Sequence, residues 1–160
     1  MKTLDDLMSA QAQLAVGLAA KVFRVTLDYS ESSIQEVEKV LSKLHEAIPK
    51  GPDDSRVKYA LSTPEVLQEV STSMGAYIGE VIKREWGGKW KEGSRIYPDQ
   101  KLLTLETVGM DIWPHMKVAK RSKNGPEDDV WFYFLGFKEH IQKKYDALRL
   151  AGRSPHPRVY

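Results

Sequence analysis

Apolar positions along this chain recur at two periods, and the switch between them marks out the elements. Leu4, Leu7, Leu14, Leu18 and Val22 fall near helical spacing, with Asp5 and Asp6 where acids complement a helix dipole. A first helix is therefore expected over residues 3–21. Phe23, Val25 and Leu27 then alternate with Arg24, Thr26 and Asp28, the period of a short strand. Ser33 and Glu36 match a capping box at the head of a second helix. Its core side is Ile34, Val37, Val40, Leu41, Leu44 and Ile48, and Pro49 ends it. The run "PKGPDDSR", residues 49–56, has the composition of a loop.

Thr63-Pro64 reads as a helix start, a capping hydroxyl followed by proline at the first position. Leu67, Val70, Met74, Tyr77, Ile78 and Val81 carry this third stripe to Trp86, and Gly87-Gly88 supply a left-handed stop. "KLLTLETV", residues 101–108, has a strand composition; Gly109 permits a turn and "MDIW" pairs back. Pro114 opens a short helical piece that stops at Asn124-Gly125. Pro126 begins the last helix, with Glu127, Asp128 and Asp129 in its first turn and Val130, Phe134, Phe137, Ile141 and Leu148 on its core side. Residues 151–160 read as a loose tail. The expectation is one α+β domain over residues 1–150, with about four main helices packed on a small, mostly antiparallel sheet built around residues 101–113.

Composition narrows the chemistry. A chain of 160 residues suits a single domain. It has no cysteine, which excludes disulfides, thiolate metal sites and a cysteine nucleophile, and fits a reducing cytoplasm. No apolar run approaches the length of a membrane span. Asp5 and Asp6 are wrong for a secretory leader, so a cytoplasmic protein is expected. The net charge of +2 hides an asymmetry: residues 1–82 hold eight Lys/Arg against twelve Asp/Glu, residues 83–160 sixteen against ten. The excess gathers at Lys83, Arg84, Lys89, Lys91 and Arg95, and at Lys117, Lys120, Arg121 and Lys123. Such a surface attracts an acidic partner, unless it is simply a solvated face.

The stretch "GAYIGEVIKREWGGKW", residues 75–90, is the most distinctive. Ser71, Gly75 and Gly79 are four apart and make a small-residue stripe down one side of the third helix. Each glycine inside a helix costs about 1 kcal/mol against alanine, so something must press on that stripe in compensation. Close packing is the expected reason, a ligand against bare backbone the alternative. Glu80 stands four before Arg84, the favoured order for a helical ion pair. The sharper reading has Glu80 half-buried and answering a base elsewhere, such as Arg121.

Three stretches, "LDYSESSIQEVEKVL", "MGAYIGEVIKREWGGKW" and "DIWPHMKVAKRSKNGPEDDV", occur in that order. Together they resemble an uncharacterised bacterial domain family marked by Gly-Ala-Tyr-x-Gly-Glu, then Gly-Gly-x-Trp, then Asp-x-x-Pro. The resemblance covers roughly residues 25–135. It implies a fold and boundaries, and no activity, because the family has none established. Trp113 before the proline and the aromatic "WFYFLGF" depart from the family pattern.

The usual catalytic signatures fail. His45, His115, His140 and His156 lack metal-ligand spacing, and Pro114 interrupts any helix joining Asp111 to His115. There is no nucleophile elbow, dinucleotide fingerprint or phosphate loop; "EWGGKW" follows a helix, whereas phosphate loops precede one. No metal, cofactor or catalytic residue is assigned. Trp86, Trp90, Trp113 and Trp131 with Tyr97 could stack nucleic-acid bases beside the basic patch, but core and rim aromatics are the commoner case and no recognised nucleic-acid module is present. Two readings stand. One is a non-catalytic binding module, of adaptor, immunity or regulatory type, that docks an acidic protein partner. The other is a small-molecule binder or enzyme with a pocket near Tyr77, Glu80 and Arg121. The candidate binding residues are Tyr77, Glu80, Arg84, Trp90, Lys117, Lys120 and Arg121.

Overall fold

The structure, a computed structural model, describes residues 1–48 and 63–154. The loop expected at residues 49–56 lies outside them, as do residues 155–160 of the expected tail. The elements run α1 (Leu4–Leu18) with a π-helical turn (Ala19–Phe23), α2 (Ser33–Ala47), α3 (Pro64–Trp86), β1 (Lys89–Glu92), β2 (Leu103–Thr107) and β3 (Met110–Ile112). Then come α4 (Pro114–Asn124), a 3-10 turn (Pro126–Asp128) and α5 (Val130–Leu150). This is the expected α+β arrangement, with the strands in the order β1-β2-β3, all antiparallel. The buried apolar side chains form one continuous core.

α3 is the axis of that core. It is buried on every side from Ser73 to Ile82, with α1 and α4 packed along it. Thr63 caps it as expected, its Oγ1 accepting from Val66 N–H at 3.3 Å. Gly87 leaves it with a φ of 75°. Immediately beyond, β1 lays Trp90 back against the helix. β1 escapes the strand pattern because "KWKE" has one apolar residue. It pairs Trp90 with Leu105, and the β2–β3 hairpin turns through Val108 and Gly109 with φ of 50° and 71°. Two successive positive values make the mirror-image turn whose twist suits a two-residue hairpin.

Three local expectations are corrected. On α1 the core takes Met8, Ala12, Ala15 and Ala19, leaving Leu7, Leu14 and Val22 46%, 59% and 47% exposed. Alanines let α1 lie close on α3, where leucines would hold it away. The strand expected at residues 23–27 joins no ladder: Arg24 turns left-handed (φ 59°) after the π turn. Phe23, Val25 and Leu27 are nevertheless buried and the residues between them exposed, so the alternation records burial without a pairing partner. At α2 the expected capping box is absent, because the Ser33 hydroxyl donates to the Ser30 carbonyl. The true capping box is on α1, where Thr3 Oγ1 accepts from Asp6 N–H at 3.1 Å and Asp6 Oδ2 from Thr3 N–H at 2.8 Å.

The two glycines of α3 are packing glycines. A Cβ on Gly75 would stand 2.7 Å from the His115 backbone nitrogen at the start of α4. A Cβ on Gly79 would stand 2.5 Å from Cη2 of Trp90. No gap is left for a methyl group at either position, so even alanine overpacks. Gly75→Ala is expected to cost about 1–3 kcal/mol by overpacking, whereas Gly17→Ala, in open space on α1, should gain up to about 1 kcal/mol. Urea unfolding of the two variants checks this; equal midpoints would contradict the close contact.

Candidate functional site

Four of the seven candidate residues are core residues: Tyr77, Glu80, Trp90 and Arg121 are 0%, 8%, 2% and 2% exposed. Tyr77 anchors the "LDYS" segment. Its oxygen accepts from Tyr29 N–H at 2.8 Å and it donates to Ser33 Oγ at 2.6 Å, since the Ser33 proton is committed to Ser30. Tyr29, held left-handed at φ 63°, packs its ring 4.9 Å from that of Tyr77, tilted by 36°. Arg84 covers the other side, its guanidinium 3.6 Å from the Tyr29 centroid. Burial pushes both phenols above their ordinary pKa.

Glu80 accepts from Trp90 Nε1–H at 2.8 Å and lies 3.7 Å from Lys83, which in turn pairs with Asp5 of α1. Asp5 also accepts from Trp90 N–H at 3.3 Å. Glu80 is buried, as the sharper reading has it, but neither expected partner is right: Arg84 goes to Tyr29, and Arg121 goes elsewhere. Arg121 Nε donates to Glu38 Oε1 of α2 at 2.6 Å, and Glu38 Oε2 accepts from Val130 N–H at 2.9 Å. The Nη1 of Arg121 is buried without a hydrogen-bond partner.

Lys117, Lys120 and Arg121 lie near one another on α4 but meet different surroundings. Arg121 turns into the core, Lys120 is exposed, and Lys117 pairs with Asp128 at 2.8 Å, 5.4 Å above the Tyr133 ring. The structure thus ties Tyr77 to Arg84 through Tyr29, joins Glu80 to Trp90 in a separate set of contacts, sets Arg121 apart with Glu38, and leaves Lys117 and Lys120 on the outside of α4.

That outer side borders a groove that the candidate set missed. It has a volume of about 470 Å³ and lies between α4 and α5, lined by Lys117, Phe132, Tyr133, Gly136, Phe137 and His140, with Glu127 and Asp129 at one end. Phe132 is 79% exposed and Leu135 43%. Nothing stands within 4 Å of a Cβ on Gly136. The signal was present in "WFYFLGF", which places apolar residues on both sides of one helix.

A second cluster lies on the sheet. Glu106 and Asp111 face each other across β2 and β3, and Lys91 Nζ reaches both, at 2.6 and 2.9 Å. Its contact with Asp111 is an ion pair, poorly aligned as a hydrogen bond. Arg95 N–H donates to Asp111 Oδ2 at 3.0 Å. Burial opposes charge on both Asp111 and Lys91, yet their mutual contact and the Arg95 and Glu106 contacts prevail. Asp111 is held below its ordinary pKa and Lys91 above. Burial pushes His115 down, with its Nδ1 enclosed and unpartnered. Each of these groups moves away from neutrality, the opposite of what proton transfer at neutral pH requires. Among the described residues, no three His, Asp or Glu gather closely enough to hold a metal, and no helix is long and apolar enough to cross a membrane.

Two outcomes follow from the ion pairs and the buried histidine. Arg121→Ala strands Glu38 and should cost about 3–5 kcal/mol, while Lys117→Ala should cost under about 1 kcal/mol; equal losses in denaturant unfolding would contradict the assignment. His115 binds its proton less readily folded than unfolded, so stability rises with pH through its range. Its contribution is complete above the ordinary value of 6.5 and is lost as pH falls through the lower folded value. Asp111 behaves alike about its ordinary 3.8. Imidazole resonances followed by NMR should place His115 below 6.5; titration at or above it overturns the argument. Compared with known protein families, curated proteins and solved structures, the chain matches none.

Proposed function

We propose that this protein is a non-catalytic cytoplasmic binding module whose docking face is the α4–α5 groove, and that it takes an acidic protein segment bearing an apolar side chain. Phe132 carries the reading. It is 79% exposed on a helix whose opposite side, Val130, Phe134 and Phe137, is already in the core. A large ring kept in water at the rim of a groove is the kind of residue that anchors a protein contact. Gly136 leaves room beside it, Lys117 lines the groove, and Lys120 stands exposed one turn along α4. The alternative, a pocket at Tyr77, Glu80 and Arg121, has less support. The Tyr77 hydroxyl, Glu80 Oε1 and Arg121 Nε are engaged in holding segments together.

A display library of random peptides panned on the immobilised protein should enrich sequences that combine Asp or Glu with a bulky apolar residue. Phe132→Ala should weaken the selected peptides by about tenfold or more, with the melting temperature unchanged. Lys120→Glu should weaken them less, and only at low salt. A library that enriches nothing, or peptides indifferent to Phe132→Ala, would sink the reading.

A further inference from the structure

The α4–α5 groove is charged differently at its two ends. Its lining on α5 follows one stripe from Asp129 past Phe132 and Gly136 to His140, a rise of about 16 Å along the helix. At the head of α5 a single lysine stands among three carboxylates. Lys117 pairs with Asp128 at 2.8 Å, and Asp128 also accepts from Asn124 Nδ2 at 2.8 Å. Asp129 caps the helix, accepting from Phe132 N–H at 2.8 Å. Glu127 is exposed, lines the groove and has no partner among the described residues. That end attracts a cation and repels an anion.

The far end is the reverse. His140 is exposed, and Lys144 follows one turn on, its Nζ 3.9 Å from where a Cβ on Gly109 would stand. Lys138 and Lys143 are paired with Glu31 and Glu139, whereas His140 and Lys144 meet no carboxylate among the described residues. An imidazole and an ammonium on one helix stripe suit an acid. Between the two ends the lining is aromatic. Tyr133 and Phe137 lie stacked with centroids 6.3 Å apart, and Gly136 leaves space over them.

We propose that the groove takes a helical segment of bipolar charge, with an acidic side chain at the His140–Lys144 end, an apolar side chain over Gly136 and a basic side chain at Glu127. This rests on the docking face assigned above and adds the order of charges along it. A lining that follows one helix stripe for three turns is matched by a second helix laid beside it. With its acid in its first turn, the segment runs antiparallel to α5 and the two dipoles oppose. Gly136 and His140 are one turn apart, so one turn also separates the segment's apolar residue from its acid. A segment acidic at both ends would set a carboxylate against Glu127, and the groove discriminates against it. Lys117 does not compensate there, because Asp128 already holds it.

Three dye-labelled helical peptides test the charge order. Each has one leucine with a glutamate one turn before it; one turn after it stands lysine in the first, alanine in the second and glutamate in the third. Fluorescence anisotropy at low salt should rank them in that order, in steps of up to about fivefold. Glu127→Lys should invert the rank, and it leaves the fold intact because the side chain is exposed and unpartnered. The same peptides are compared on both proteins, so their own helicity cancels. His140→Ala with Lys144→Ala should weaken all three, which share the acid at that end. Peptides that need Phe132 but keep one rank on both proteins overturn the charge order and leave the docking face standing. Peptides that fail to bind, or bind without regard to Phe132→Ala, overturn the docking face and this proposal with it.

Discussion

Two missing methyl groups on α3 place everything that follows it. Gly75 admits the backbone of α4 at His115, and Gly79 admits the ring of Trp90. The glycines cost about 1 kcal/mol each in helix propensity. Burying an indole of roughly 200 Å² at about 25 cal/mol per Å² returns about 5 kcal/mol, so the exchange is favourable before α4 is counted. Polar contacts then fix the ring. Glu80, the next residue along, accepts the indole N–H, and Asp5 accepts the backbone N–H of the same tryptophan. α1, α3 and β1 are thus held through one residue, Trp90, whose strand pairs with β2.

The α4–α5 side depends on a different device. Glu38 uses one oxygen for Arg121 of α4 and the other for Val130 N–H at the head of α5. An ion pair with Arg121 buried adds little net stability over apolar side chains of the same size, because desolvation consumes most of the Coulomb gain. Its effect is geometric. A single carboxylate from α2 sets the separation of two helices, and the groove beside Phe132 is the space that separation leaves.

The sequence was most readable where one residue's chemistry admits one local structure. Thr63-Pro64, Gly87, and the turn at Val108-Gly109 are of this kind, and the elements around them lie where the pattern put them. It misled where two faces compete. α1 offers leucines on one side and alanines on the other, and the larger side chains look like the core until α3 requires a close neighbour. The same ambiguity hid Phe132, because α5 is apolar on both sides and periodicity cannot say which is covered. "KWKE" was silent for the opposite reason, since its pairing depends on Leu103–Thr107 downstream. As for the candidate residues, motif distinctiveness pointed to Tyr77, Glu80, Trp90 and Arg121. Those positions are constrained by packing, which marks a sequence as strongly as binding does.

The division of charge along the chain has the same explanation. The first half is acidic and the second basic, and the fold brings the halves together: Asp5 meets Lys83, Glu31 meets Lys138, and Glu38 meets Arg121. Much of the basic excess is therefore neutralised within the molecule, and Lys117 is neutralised locally by Asp128. Lys120, one turn from Lys117 on α4, remains exposed, too little to hold a partner by charge alone at physiological salt, where exposed pairs contribute about 1 kcal/mol or less. Recognition at that face then has to come from the Phe132 ring and the space over Gly136, with the lysines steering approach and orientation more than supplying affinity.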